Sequence, residues 1–466
     1  MVRLFGHYIP RAFLLLAFGE WLAAAVSIYL GIALRFPTEE AEALFGAPNV
    51  AWSAVVFAGI NVVALAAMGL YQRGLTQGHV GMLARVLVAL AFSAAGMSLA
   101  FYLFPALFIG RGAFAMALVC DFALLLGTRA VFFAAFGDRT RQRRVLVLGA
   151  GKNAARIQSA LEPRRLRGFQ IVGFVRCEDG PIRVGDDRLI DLETGAPLLD
   201  FALRQQVDEI VVALDERRRG LDVHGLLDCK LAGIEVVDLI RFFERELNLL
   251  PIRLLTPGWL VFSETFRSSS LGEAGKRLVD LLASAALLLV ALPVGAVAAL
   301  AIWIEDRSAP VLFRQTRVGR DGRHFQVVKF RSMRTDAEAD GVARFADEDD
   351  PRVTRVGRLM RKTRVDELPQ IWNVLRGDMS FVGPRPERPE FVEAFAKTIP
   401  FYNERHRVKP GISGWAQLCY QYGSSADDAE AKLEYDLYYV KNASLFLDLI
   451  IILRTVEVVL WGKGGR

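Results

Sequence analysis

The sequence predicts a membrane protein of α/β class: a four-helix transmembrane bundle, a Rossmann-like parallel α/β domain, and a second α/β domain that carries a re-entrant membrane helix. Three observations lead there. Four apolar stretches crowd the chain before Gly137. A glycine turn of the form GxGxxA follows a short apolar run at Arg144, and a proline interrupts a fifth apolar stretch that is basic at both ends. With 466 residues the chain has the length for two or three domains.

The apolar stretches are Phe13 to Leu34, Val50 to Leu70, Met82 to Phe108 and Ala113 to Phe136. Each is near the roughly 20 residues that a helix needs to cross a bilayer. Small-residue faces at Ala23 to Ala25 and Ala94 to Gly96 suit helix packing in lipid. A cleaved signal peptide is disfavoured, because the first stretch is long and contains Glu20. Arg3 and Arg11 precede the first span, Arg73 and Arg85 bracket the second loop, and Arg139, Arg141, Arg143 and Arg144 follow the fourth. The loop Pro37 to Pro48 carries Glu39, Glu40 and Glu42 instead. The positive-inside rule therefore places residues 1–138 as a four-span domain of the cytoplasmic membrane, with everything after Gly137 on the cytoplasmic side.

The formal net charge of +6 comes without a nucleic-acid-binding motif, so nucleic acid is not an expected partner. Basic residues beside the spans face anionic lipid and phosphorylated substrates more naturally. Cys120, Cys177, Cys229 and Cys419 are isolated, and the five histidines are scattered. Neither disulfides nor a zinc site is expected, in keeping with a reducing compartment.

Residues 139–251 read as the Rossmann-like domain. Arg144 to Leu148 forms a strand, Gly149 allows the turn, Gly151 lets the backbone approach a phosphate, and a helix begins at Lys152. Strands at Gln170 to Val175, Val207 to Leu214 and Ile234 to Asp238, with a helix at Val223 to Ala232, continue the alternation. A dinucleotide site also wants an acidic residue at the end of the second strand. Here that position reads Arg176-Cys177-Glu178, where Arg176 suits a 2′-phosphate and Glu178 comes slightly late for a ribose. A structural or regulatory module is therefore favoured over one that binds NAD(P).

Residues 252–270, ending in Ser268-Ser269-Ser270, are a linker to a domain over 271–466. Its apolar segment 277–304 has Lys276 and Arg277 before it and Arg307, Arg314 and Arg317 after it, so both ends belong on the cytoplasmic side. Pro293 breaks the helix and favours a re-entrant path over a fifth crossing. A strand around Phe325 to Phe330 is expected to project Lys329 and Arg331 on one face as a phosphate clamp. Asp366 and Glu367 open a short helix with Ile371, Val374 and Leu375 on its buried side. Adjacent carboxylates near arginines suit phosphoryl transfer: one carboxylate can attack phosphorus or hold Mg²⁺, and a guanidinium neutralises charge on the transferred group. The basic, glycine-punctuated loop Val408 to Gly414 and Tyr435, Tyr438 and Tyr439 are candidates to face the base and sugar, although tyrosines at helical spacing belong more often to a core. Leu445 to Trp461 reads as an amphipathic helix on the membrane, with Asp448, Arg454 and Glu457 on its polar side and Lys463 beyond it.

Five segments in order resemble one known family: Lys276 to Asp280 (KRLVD), Phe313 to Gly319 (FRQTRVG), Lys329 to Met333 (KFRSM), Asp366 to Pro386 (DELPQIWNVLRGDMSFVGPRP) and Arg405 to Gln417 (RHRVKPGISGWAQ). The family is the bacterial sugar transferases, or monotopic polyprenyl-phosphate phosphoglycosyl transferases. The spans and the Rossmann-like, CoA-binding-like module resemble its long form, and Leu4-Phe5-Gly6-His7-Tyr8 resembles its exopolysaccharide subgroup. The resemblance implies transfer of a sugar-1-phosphate from a nucleotide sugar, usually a UDP-sugar, to undecaprenyl phosphate, with release of UMP. It implies Asp366 as covalent nucleophile, Glu367 as its partner that positions Mg²⁺ or assists a proton, and Arg385 as a phosphate ligand, beside Arg314, Arg317, Lys329 and Arg331. Two departures stand out: Leu292 precedes Pro293 where some relatives have a polar residue, and Ser413 replaces a common threonine.

A membrane-bound nucleotide-sugar dehydratase or epimerase would share the layout of spans and Rossmann-like domain. Such enzymes carry Tyr-x-x-x-Lys, and none of the ten tyrosines has lysine four residues on. A non-catalytic scaffold would leave the acidic pair and its arginines unexplained. A role for the Rossmann-like module in regulation or in forming a homodimer stays open.

Overall fold

The computed structural model describes residues 2–4, 6–71, 79–136, 142–160, 169–177, 180–185, 188–191, 197–215, 221–262, 270–337, 350–420 and 426–461. Arg73, Arg139, Arg141, Glu178, Ser268, Ser269 and Lys463, used above, lie outside the described residues. The chain divides into two compact units, one of Met1–Val2 with Ile9–Leu247 and one of Arg3–Tyr8 with Asn248–Arg466.

A small N-terminal hairpin pairs β1 (Val2–Leu4) with β2 (His7–Ile9). The first unit then runs through α1 (Arg11–Arg35), α2 (Thr38–Phe45), α3 (Pro48–Ala67), α4 (His79–Leu103) and α5 (Arg111–Phe136). Four of these, α1, α3, α4 and α5, are long and apolar enough to cross a membrane. The short α2 occupies the loop between the first two, with Glu39 and Glu40 in its first turn, where the helix dipole favours acids. The long helices pack α5 on α1, α1 on α3 and α3 on α4. Close approach rests on small residues: a Cβ at Gly31 would lie 2.5 Å from the Ala113 carbonyl oxygen of α5. Glu20, fully buried, is neutralised by Arg129 of α5, whose Nε lies 2.7 Å from Glu20 Oε1.

The rest of the first unit is a five-stranded parallel sheet of order β5-β4-β3-β6-β7. Its strands are β3 (Arg143–Leu148), β4 (Phe169–Val175), β5 (Leu189–Ile190), β6 (Glu209–Val212) and β7 (Glu235–Asp238). Helices α6 (Lys152–Ala160), α7 (Leu198–Arg204), α8 (Val223–Leu231) and α9 (Leu239–Leu247) connect and follow them. The apolar β3 and β6 lie buried at the centre, as a sheet covered on both faces requires. The glycine turn follows β3 at the switch point of the strand order, between β4 and β6. Arg143 belongs to β3 and pairs with Glu209 at 2.9 Å and with Glu246, so it is a member of a buried ion network that also holds Arg245.

The second unit begins with α10 (Pro257–Phe262) and the long α11 (Ser270–Glu305). The latter bends by 57° between Leu289 and Ala291. Pro293 causes the bend: it cannot donate to the Leu289 carbonyl four residues back, and its ring crowds that carbonyl. Next, β8 (Leu312–Val318) and β9 (His324–Phe330) form an antiparallel hairpin in which Arg317 faces Phe325 and Phe313 faces Lys329. The remaining elements are α12 (Arg355–Thr363), a 3₁₀ turn (Val365–Gln370), α13 (Ile371–Arg376), β10 (Ser380–Val382), α14 (Pro389–Thr398), a second 3₁₀ turn (Tyr402–Arg407), β11 (Gly411–Ser413), α15 (Trp415–Cys419), α16 (Ala426–Asn442) and α17 (Leu445–Trp461). Strands β10 and β11 pair in parallel.

The inward side of α17 holds the buried Leu447 and Ile451 together with Asp448, which bonds Lys276 (2.6 Å) and Tyr439 (2.7 Å), while Leu445, Leu449 and Val456 are exposed. The outward side of the helix is thus apolar as well, and α11 shares the pattern, with Leu289 79% and Val297 70% exposed. Such contiguous apolar surface marks a face that meets lipid or a partner.

Candidate active site

The acidic pair sits where the chain reverses. Thr354 caps α12 by accepting from the Gly357 N–H (2.9 Å), and Arg364 ends that helix in the left-handed conformation (φ 59°). The chain then re-enters as the 3₁₀ turn Val365–Gln370 rather than as an α-helix, and Pro369 lies within it. Val365 and Leu368 pack on the cluster of Ala298, Ile302, Phe330 and Met360, so the second half of α11 lies directly beneath the turn. Asp366 and Glu367 are each 8% exposed. Asn373 ties α13 to β9: its Oδ1 accepts from the Val328 N–H (3.1 Å) and its Nδ2 donates to the Gln326 carbonyl (2.7 Å). That stitch sets Lys329 over the pair, with Nζ 3.5 Å from Glu367 Oε1.

Arg385 reaches the same oxygen from the other side, its Nη2 donating to Glu367 Oε1 at 3.0 Å. The turn that carries it is fixed by glycine contacts. A Cβ at Gly383 would lie 2.2 Å from the Lys409 carbonyl oxygen, and one at Gly414 would lie 2.5 Å from the Gly383 carbonyl oxygen. The two loops touch backbone to backbone and admit no side chain there. Arg405, buried in the second 3₁₀ turn, donates to the Arg385 carbonyl (3.0 Å) and to Tyr402 Oη (2.8 Å), and pairs with Asp436 of α16 (2.8 Å). Arg317 donates to the Pro386 carbonyl (3.1 Å) and lies 3.4 Å from Glu387.

These surroundings separate the two acids. Burial, reinforced by the neighbouring Glu367, pushes Asp366 up to about 6. Burial would raise Glu367 too, but Arg385, Lys329 and Arg364 overcome it and hold its carboxyl well below the usual carboxylate range. Burial lowers Lys329, and it lowers Arg317 to about 10. Asp366 Oδ1 is buried without a hydrogen-bond partner among the described residues. A buried, unpaired carboxylate oxygen beside a second acid fits a hard cation such as Mg²⁺, whose other ligands would come from substrate phosphates and water. Among the described residues no group of three or more His, Cys, Asp or Glu stands ready to hold a metal by itself.

Of the residues expected from sequence, the structure brings together Asp366, Glu367, Lys329 and Arg385, with Arg317 of β8 bonded to the adjoining turn at Pro386. Arg331 is not beside Lys329. Strand β9 ends at Phe330, the Arg331 N–H donates to the Val311 carbonyl (2.9 Å), and its guanidinium bonds Asp306 (2.7 Å). Period-two alternation breaks where the strand stops, and Asp306 captures the charge. Arg314 is exposed and, two strands' faces alternating, lies on the side of the hairpin opposite Arg317. Pro293 lies three residues beyond the α11 bend it causes, while Gly149 and Gly151 belong to the first unit.

Sequence reasoning missed Arg364, Asn373, Arg405 and Asp436 as parts of the site. The available signals were a polar Asn373 on the apolar side of α13 and the place of Asn373 and Arg405 within the segments that carry the family resemblance. The KRLVD segment also has a structural job that its pattern does not reveal. Lys276 donates to the Val382 carbonyl (3.0 Å), Arg277 caps α13 at the carbonyls of Val374 and Leu375 (2.6 Å to the latter), and Asp280 accepts from Ser380 Oγ and the Phe381 N–H, both at 2.9 Å. The first half of α11 is thereby pinned to the strand that leads into the Arg385 turn.

The family model for bacterial sugar transferases matches residues 271–462, and that for the CoA-binding domain matches 66–228. The chain is 49% identical over 191 residues to a UDP-N-acetylgalactosamine-undecaprenyl-phosphate N-acetylgalactosaminephosphotransferase of Aeromonas hydrophila, covering 41% of this chain and 45% of the relative. It is 35% identical over 335 residues to an undecaprenyl-phosphate glucose phosphotransferase of Komagataeibacter xylinus, covering 70% and 61%. It is 34% identical over 341 residues to a UDP-glucose:undecaprenyl-phosphate glucose-1-phosphate transferase of Klebsiella pneumoniae, covering 71% and 70%. The match thus spans about half to two thirds of the length of these curated relatives. With its four apolar N-terminal helices, its five-stranded parallel sheet and its C-terminal α/β region, the chain belongs to the bacterial sugar transferase family, in its long form.

Proposed function

We propose that this protein transfers a sugar-1-phosphate from a UDP-sugar to undecaprenyl phosphate and so starts assembly of an exopolysaccharide or related glycan. The observation that carries the reading is the buried Asp366, whose Oδ1 has no hydrogen-bond partner among the described residues, beside a Glu367 already neutralised by Arg385, Lys329 and Arg364. In the first step an Asp366 oxygen attacks the phosphorus that bears the sugar, and the bond to the bridging oxygen breaks to release UMP. In the second, a phosphate oxygen of undecaprenyl phosphate attacks the same phosphorus. That step frees Asp366 and leaves the sugar on a lipid diphosphate. Two similar transfers in one site replace a direct encounter of two anions.

Arg385 and Lys329 bind the charged oxygens of the transferring group, and Arg317 supports the Arg385 turn from its far side. Glu367 holds Arg385 and Lys329 in place. Mg²⁺, held by Asp366 and Glu367 when bound, would neutralise phosphate charge.

Domains over 1–138, 139–251 and 271–466, with the two soluble parts on the cytoplasmic side of the inner membrane, give the site both substrates. The bend at Pro293 supports a re-entrant α11 that keeps the acidic pair at the lipid surface, where an undecaprenyl phosphate headgroup lies. Purified full-length protein in lipid nanodiscs, given undecaprenyl phosphate and a panel of radiolabelled UDP-sugars, should convert at least one donor to lipid-linked product with release of UMP. Failure with every donor would contradict the reading.

A further inference from the structure

We infer that the Rossmann-like module takes neither a dinucleotide nor coenzyme A at its glycine turn, because the carboxylate of Asp215 fills the place of the ligand phosphate. A Rossmann site binds pyrophosphate through backbone N–H groups at the start of the helix that follows the first strand. In this chain the first two N–H groups of that helix are taken. The Lys152 N–H donates to Asp215 Oδ2 (2.8 Å) and the Asn153 N–H to Asp215 Oδ1 (2.9 Å). Each oxygen of one fixed anion thus meets one donor, and Asn153 Nδ2 ties the same two segments again through the Leu214 carbonyl (2.9 Å).

The glycines are explained by this internal contact. A Cβ at Gly151 would lie 2.3 Å from Asp215 Oδ2, and one at Gly149, whose φ is 123°, would lie 2.5 Å from the Ala213 carbonyl oxygen. Both serve the approach of the segment after β6. The chain also returns across the turn, with the Arg183 N–H donating to the Ala150 carbonyl (2.8 Å) and the Gly185 N–H to Gln158 Oε1 (3.1 Å). The residue that follows the second strand is Arg176, a cation where the ribose of NAD would want a carboxylate, so for NADP the case rests on Asp215 alone. An incoming phosphate would have to expel Asp215 from two charge-assisted hydrogen bonds. The module matched by the CoA-binding model is, on this reading, closed on itself by its own anion, and its contribution to the protein is structural.

Two measurements on the full chain in nanodiscs test this. Calorimetric titration of wild type with NAD⁺, NADP⁺ and coenzyme A at millimolar concentration should show no saturable binding. Thermal melts of Gly151→Ala, Asp215→Ala and the double variant should show that the two changes are not independent. Gly151→Ala in the wild-type background displaces the carboxylate and lowers the melting temperature by roughly 2–4 °C, whereas in the Asp215→Ala background it adds less than half of that. Independent effects of the two substitutions, or saturable binding of any of the three ligands to wild type, would overturn the inference.

Discussion

Neighbouring carboxylates on one turn have been given different chemistry by their surroundings. Glu367 meets three cations and stays ionised, whereas Asp366 is buried beside it, its Oδ1 without a hydrogen-bond partner among the described residues. If Asp366 is the nucleophile it must be deprotonated. Burial and Glu367 raise its carboxyl to about 6 without metal, and Mg²⁺ bound beside it lowers that value, so the rate should fall about tenfold per unit only below a pH no higher than about 6. A pH profile of UMP release measures this, and a rate that already falls tenfold between pH 8 and 7 would contradict it. Asp366→Asn should lower turnover by about 10³-fold or more, since an amide cannot form the covalent intermediate. Arg405→Lys tests the support of Arg385: a lysine cannot bond the Arg385 carbonyl, Tyr402 and Asp436 together, so kcat should fall by about 10-fold to 100-fold with the fold retained. The acidic pair and Arg385 were legible in the sequence because they share one contiguous motif. Arg405 and Asp436 were not, because their partners are far along the chain, and Arg331 was misread because strand alternation says nothing about where the strand ends.

At the scale of elements, α11 and the N-terminal hairpin carry the site without touching substrate. If the bend at Pro293 makes α11 re-entrant, cysteines at Gly272 and Arg307, in a background free of the four native cysteines, should both label from the cytoplasmic side. Labelling from opposite sides would mean a fifth crossing. The hairpin contributes His7, whose Nδ1 lies 2.9 Å from Tyr438 Oη and whose ring stands edge-on to Trp415 at 5.6 Å. Tyr438 Oη also donates to Asn248 Oδ1 (3.1 Å), so the His7 Nδ1–H donates to Tyr438. Burial, with Arg454 adding to it, lowers His7 to about 4. The unfolded chain therefore binds a proton that the folded unit refuses, and stability should fall as pH drops from about 6.5 to 4, by about 3 kcal/mol from this group. Chemical denaturation of wild type and His7→Asn across that range checks it, the variant showing the shallower slope. The apolar run and Pro293 foresaw α11 and its bend, and sequence periodicity had no part in it. Periodicity did not foresee the hairpin's place in the second unit, since three-residue strands give no usable period.

For the molecule as a whole, hydropathy alone located the four long helices, and the glycine turn located the parallel sheet, because both signals are local. That α17 turns Asp448 inward and Leu445 and Leu449 outward was not legible beyond its amphipathic pattern, since a period does not say which face is wet. The exposed apolar sides of α11 and α17 support a second unit seated on lipid, where a soluble donor and a lipid phosphate can reach one carboxylate in turn. The covalent step is the part of this account on which the rest depends. Incubating the purified protein with its UDP-sugar in the absence of undecaprenyl phosphate, followed by mass spectrometry of the peptide that contains Asp366, tests it most directly. The account predicts one equivalent of UMP and a phosphosugar adduct on Asp366 that disappears when the lipid phosphate is added. UMP release that requires the lipid, with no adduct at any time, would contradict it.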